Sequence, residues 1–141
     1  MENEPIDGTQ ITGQHVIFVY GTLRKGLWNH SLLRSAKFLG NAKTKLLYAL
    51  YGNEVVFLSR TKAVSQVTGE VYSIDDDTLY SLDELEGHPL AYKREQAEVI
   101  LEDGIELSAW IYFCDVGRGD LIESGDYFLR ASSPRRRKRS V

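Results

Sequence analysis

The stretch QVTGEVYSIDDDTLYSLDELEG, residues 66–87, changes its period halfway and so decides the fold class. From Gln66 to Ile74 the residues alternate in part, with Val67, Gly69 and Val71 set against Thr68, Glu70 and Tyr72. That is the pattern of a half-exposed strand. Asp75-Asp76-Asp77 then supplies a cap and first-turn acids for a helix running to about Glu86. Gly87 is well placed as its C′ residue, and Pro89 lies just beyond.

Strand signals lie on both sides of this helix. Val16 to Tyr20 is apolar, β-branched and aromatic, and reads as a buried strand broken by Gly21. Asn29 is placed to cap a short helix through Arg34, with Leu32 and Leu33 facing inward. Leu46 to Tyr51 and Val55 to Leu58 read as two strands joined through Gly52-Asn53. After the helix, Arg94 to Leu101 is a strand, and Glu102-Asp103-Gly104 turns it into Ile105 to Phe113. Strands, one helix, then strands make one α+β domain around a curved, barrel-like sheet. The domain spans residues 16–130, between a polar N-terminal arm (1–15) and a basic C-terminal tail (131–141).

Bulk properties narrow the function. The chain has 141 residues, enough for one domain with a real core. No apolar run approaches the roughly 18 residues of a membrane span. The acidic, polar start is no secretory signal, and the single cysteine, Cys114, allows no intramolecular disulfide. A cytoplasmic, non-membrane protein is expected. The net charge of −3 hides an asymmetry: Arg135 to Arg139 holds five of 17 basic residues, leaving 12 basic against 20 acidic, a net of −8. An acidic body with a basic tail disfavours a nucleic-acid-binding domain, and the tail reads as solvated.

On a helical wheel of about 100° per residue, Leu79, Leu82 and Leu85 mark the apolar arc. Glu86 falls inside it, roughly 40° from its centre, whereas Glu84 points almost the opposite way. Glu86 is therefore expected to be partly desolvated, with a raised pKa suited to taking and returning a proton. The alternative is a frayed last turn, with Glu86 in solvent or paired with Arg94. The turn Tyr20-Gly21-Thr22-Leu23 is either an ordinary turn or a nest whose N–H groups hold a carboxylate or an oxyanion. It has neither the glycine spacing of a dinucleotide fold nor the Gly-Lys-Ser/Thr of a phosphate loop. His15, His30 and His88 lack metal-type spacing, so no metal is expected. No Gly-x-Ser-x-Gly elbow is present, and Cys114 reads as a small core residue.

Taken together, several stretches resemble the γ-glutamylcyclotransferase-like family, especially its short γ-glutamylamine cyclotransferase branch and bacterial relatives. They are Val19 to Gly26, Asn29 to Leu33, Gly69 to Tyr72, Leu82 to Gly87, Tyr92 to Arg94, and Trp110 to Tyr112. The likeness covers roughly residues 16 to 128. It implies a small mixed β-barrel with flanking helices and no metal or organic cofactor. It also implies cleavage of a γ-glutamyl amide by its own α-amino group, giving 5-oxoproline and an amine. By this resemblance Glu86 matches the catalytic glutamate, and Tyr20, Gly21, Thr22 and Leu23 match the loop that holds the γ-glutamyl end. Tyr92 is a further pocket residue. The partner implied is a small γ-glutamyl substrate. The rival reading is a binding module of the same fold that retains a γ-glutamyl or carboxylate ligand without turnover.

Overall fold

A computed structural model describes residues 14–116 and 118–130. The arm and tail expected at the two ends lie almost wholly outside the described residues. Seven strands are present: β1 (His15–Val19), β2 (Lys37–Thr44), β3 (Ala49–Gly52), β4 (Val56–Ser59), β5 (Thr68–Ile74), β6 (Lys93–Leu101) and β7 (Glu106–Phe113). One α-helix, α1 (Asp76–Glu86), follows β5. Five strands close into a barrel in the order β1-β5-β2-β6-β7. Four of its pairings are antiparallel; β7 closes on β1 in parallel, with Ile17 opposite Trp110. The expected α+β barrel is thus present, and it is mixed through that single parallel seam. β3 and β4 form a separate hairpin, with Leu50 opposite Leu58 and Gly52 opposite Val56.

The pleat of β1 explains why its sequence is apolar without alternation. Phe18 and Val16 turn into the barrel with Val67, Val71, Val99, Ala109 and Ile111. Ile17 and Val19 turn outward and are buried all the same, against Leu79 and Leu82 of α1 and Leu33. Successive side chains must point to opposite faces, so a strand buried on both reads as a continuous apolar run. Full burial of Leu82 stabilises this second layer by roughly 2 kcal/mol.

The same layer corrects the half-exposed reading of residues 66–74. Glu70 and Tyr72 are only 4% exposed, because α1 and the segment after β1 cover the outer face of β5. Glu70 accepts hydrogen bonds from Arg24 Nε (3.2 Å), the Lys25 N–H (2.9 Å) and the Tyr72 hydroxyl (2.8 Å). Arg24 also bonds Asp126 at 2.8 Å. A charged side chain in a strand was read as facing water; here it is buried because it is paired.

α1 begins and ends as its sequence requires. Asp75 accepts from the Thr78 N–H (2.8 Å) as N-cap, and Gly87 ends the helix with φ +67°. Other expectations shift. Residues 30–33 form a 3-10 turn, in which Leu33 is buried but Leu32 is exposed. Asn29 makes no side-chain cap bond there. The strand expected from Leu46 begins at Ala49, and Leu46 and Leu47 are exposed. β2, a charged strand with a register shift between Phe38 and Gly40, carried no clear period.

Gly69 marks where packing leaves no room for a side chain. A Cβ there would sit 2.2 Å from the Val19 carbonyl oxygen and 2.7 Å from Phe18 Cζ. Gly69→Ala must therefore push the β1 backbone away, not merely a flexible side chain. It is expected to cost about 3 kcal/mol, the upper range for an overpacked core. The check is the urea midpoint, which should fall while the m-value stays constant.

Candidate active site

Glu86 stands at the end of α1, one turn after Leu82, and its helical position brings it over the open end of the β1 strand. It lines a cavity of about 210 Å³ together with Tyr20, Gly21, Thr22, Leu23 and Tyr92. All six residues singled out from the sequence therefore meet around one space. Phe18, Val19, Trp28, Asn29, Leu85 and Tyr112 complete it, with Glu54, Val55 and Val56 from the β3–β4 hairpin.

Two acids on α1, three residues apart, are driven in opposite directions. Arg94 does not pair with Glu86. It grips Asp83 with Nε at 2.7 Å and Nη2 at 3.0 Å, and Asp83 also accepts the Tyr112 hydroxyl at 2.6 Å. Burial pushes the Asp83 carboxyl up, but these hydrogen bonds and the guanidinium outweigh it and hold the group below its ordinary value. Glu86 has no hydrogen-bond or ion-pair partner for its carboxyl among the described residues. Burial alone pushes its pKa up to about 7. Leu85, read as part of the apolar arc, is 43% exposed and forms part of the cavity wall instead.

The surrounding phenols are already committed. Tyr20 donates to the Tyr112 carbonyl at 2.6 Å, and Tyr92 to the Val56 carbonyl at 2.7 Å. Tyr92 also stacks on Phe57, with ring centroids 5.8 Å apart and 5° between planes. Burial, reinforced by the nearby Glu86 carboxylate, raises the pKa of both phenols. They stay neutral and act as walls and struts. Tyr92 thereby ties the hairpin to the cavity, and the Tyr127 hydroxyl ties the same hairpin through the Asn53 carbonyl.

The turn after β1 presents its N–H groups. The Gly21 carbonyl accepts from the Arg24 N–H (3.0 Å), and the Thr22 carbonyl from the Asn29 N–H (3.1 Å). The Thr22 and Leu23 N–H groups have no protein acceptor among the described residues. One face of the cavity thus offers donors, and another offers an unpartnered carboxyl.

Sequence reasoning did not reach the hairpin residues Glu54 to Val56, Trp28, or the role of Asp83 as the partner of Arg94. Glu54 to Val56 lie about 30 residues before Glu86 in the chain, and no local pattern aims them at it. Among the described residues no group of three or more His, Cys, Asp or Glu side chains is arranged to hold a metal. No helix among them is long and apolar enough to cross a membrane.

Comparisons with known proteins agree with this geometry. Residues 17–129 match the family described as "Gamma-glutamyl cyclotransferase, AIG2-like". A Methanocaldococcus jannaschii protein named "Putative gamma-glutamylcyclotransferase" is 47% identical over 112 residues, covering 79% of this chain and 93% of that one. The human "Gamma-glutamylaminecyclotransferase" is 36% identical over 98 residues, covering 62% and 64% respectively. Among solved structures, a mouse AIG2-like protein superposes with a TM-score of 0.68 at 28% identity, covering 74% of this chain and 80% of that one.

Glu86 also leaves a signature on stability. Its carboxyl is raised from 4.5 to about 7, so the folded state holds the proton more tightly than the unfolded chain does. Its contribution is therefore fully favourable below about pH 4.5 and is lost as the pH rises through about 7. Glu86→Gln is neutral at every pH and lacks this loss. Relative to the native protein, the variant is expected to gain stability between pH 5 and pH 8, measured as the difference in urea midpoints.

Proposed function

The chain belongs to the AIG2-like γ-glutamyl cyclotransferase family, and on that premise we propose that it is an enzyme that opens γ-glutamyl amides, γ-glutamyl amines among them, by ring closure. The α-amino nitrogen of the substrate attacks its own γ-carbonyl carbon. The products are 5-oxoproline and a free amine. The observation that carries this reading is Glu86: an unpartnered carboxyl with a pKa of about 7, lining the same small cavity as Thr22 and Leu23, whose N–H groups have no acceptor among the described residues.

The chemistry needs little more than these groups. Nucleophile and electrophile share one molecule, so a cavity that holds the chain bent supplies proximity. The α-amino group has a pKa of about 8 in model compounds and is mostly protonated at neutral pH. Glu86 as the carboxylate removes one proton from this ammonium and frees the nitrogen lone pair. Attack forms the C–N bond of the ring and moves the carbonyl π pair onto oxygen. The Thr22 and Leu23 N–H groups are suited to stabilise that oxyanion. Glu86, now protonated, gives that proton to the departing nitrogen as the oxyanion re-forms the carbonyl and the old C–N bond breaks. The regenerated carboxylate then takes the second proton from the ring nitrogen and passes it to the released amine, which leaves as its ammonium form. A pKa near 7 suits both transfers, because acid and base forms are then populated together.

The volume of the cavity fits a γ-glutamyl group and leaves the departing amine toward the rim formed by Trp28, Glu54 and Val55. The identity of that amine is set there, outside the motifs of the family.

The purified protein incubated with γ-glutamyl amines and γ-glutamyl dipeptides is expected to release 5-oxoproline. Glu86→Gln is expected to lower kcat by about 10²–10⁴-fold, the range for loss of one acid–base group. In the native protein kcat/KM should rise with pH through about 7, as Glu86 ionises. Binding of 5-oxoproline or substrate without release would instead make the protein a small-molecule binding module. Full activity in Glu86→Gln would overturn the assigned role.

A further inference from the structure

The turn that carries the free N–H groups is held by two side chains that the proposed reaction does not use. Asn29 Nδ2 donates to Thr22 Oγ1 at 2.9 Å, and the Asn29 backbone N–H donates to the Thr22 carbonyl at 3.1 Å. His30 Nδ1 lies 2.9 Å from the Leu23 carbonyl. A carbonyl only accepts, so His30 Nδ1 carries the hydrogen. The carbonyls of Gly21, Thr22, Leu23 and Arg24 are then all engaged within residues 21–30. The Arg24 and Lys25 N–H groups are engaged too, with Gly21 and Glu70. The Thr22 and Leu23 N–H groups have no acceptor among the described residues, and both residues line the cavity.

We infer that Asn29 and His30 are positioning residues that lock the Tyr20–Leu23 turn, so that its free Thr22 and Leu23 N–H groups form a ready-made cradle for a substrate carboxylate or carbonyl oxygen. The inference rests on the proposed function for its ligand but not for its geometry. Unlocked, the Thr22 and Leu23 peptides are free to rotate, and binding must then bear the entropy of ordering them. The imidazole is braced in its turn: its ring lies against Tyr72 with centroids 5.8 Å apart, and the Tyr72 hydroxyl is anchored on Glu70. The lock therefore joins the cradle to the buried charge network beneath β5.

The donor role is indifferent to pH, because Nδ1 keeps its hydrogen in both the cation and this neutral tautomer. That separates a positioning histidine from an acid–base one. His30→Phe keeps a ring against Tyr72 but removes the donor; His30→Gln restores a donor of similar reach. Two readouts apply to each variant: 15N order parameters of the Thr22 and Leu23 amides, and the Kd of 5-oxoproline by calorimetry with the pH profile of kcat/KM.

His30→Phe is expected to lower those order parameters from about 0.85 toward 0.6. It should weaken 5-oxoproline about tenfold, the equivalent of about 1.4 kcal/mol. The profile should keep its shape, and His30→Gln should recover most of the affinity. Unchanged amide order overturns the inference, as does loss of one limb of the pH profile with affinity retained. If the native protein neither binds nor releases 5-oxoproline, the proposed function fails, and the order parameters still decide the lock. Should His30→Phe not fold, Asn29→Ala carries the same test through the Thr22 side.

Discussion

Glu70 is a carboxylate closed off from water in the middle of a barrel strand, and the parts of the site that lie on loops depend on how it is satisfied. It draws in the Arg24 guanidinium, the Lys25 N–H and the Tyr72 hydroxyl, and through Arg24 it reaches Asp126. One buried charge thus ties together the segment leaving β1, the outer face of β5 and the chain after β7. Removing a single partner from such a pair costs on the order of 3–5 kcal/mol, because the remaining charge stays buried and uncompensated. The loop that carries the free N–H groups is therefore fixed by the interior of the protein and not by its ligand.

The second device is the contrast between Asp83 and Glu86. Both carboxyls are carried on the last turns of α1 and both are partly withdrawn from solvent. Asp83 receives a bidentate guanidinium and a phenol, stays ionised, and fastens α1 to β6 and β7. Glu86 receives no partner among the described residues and is left with the cost of burial. Two acids on one helix are thus set apart by their environments, one held ionised and one pushed toward its neutral form. Because Arg94 is spent on Asp83, it cannot neutralise Glu86. That division is what keeps the proton on Glu86 available near neutral pH.

The cavity is closed by a hairpin that is not part of the barrel. β3 and β4 pair only with each other as strands, and the sheet edge is held by scattered bonds: Ile122 N–H to the Leu50 carbonyl (2.7 Å), Cys114 N–H to the Leu58 carbonyl (2.9 Å), and Gly52 N–H to the Asp120 carbonyl (2.9 Å). Tyr92 and Tyr127 add their hydroxyls to its backbone. A wall attached in this way can vary in sequence without disturbing the barrel.

Local chemistry was legible where neighbours in sequence are neighbours in space. The cap of Asp75, the left-handed Gly87, the inward aim of Glu86 and the break of β1 at Gly21 all follow from spacing within a few residues. The sequence by itself also determined the succession of strands, one helix and strands, and so the α+β class, though β2 left no period to read. The tertiary structure alone decided what long-range packing controls. Glu70 and Tyr72 look solvent-facing by alternation and are buried, because α1 folds back over β5. Arg94 chose Asp83 over Glu86, and the hairpin of residues 49–59 became the far wall of the cavity. A hydrogen bond or a contact between residues 46 or 102 positions apart leaves no periodic trace in the chain. Its partners are fixed only when the barrel closes and each buried polar group must find an acceptor or donor within reach.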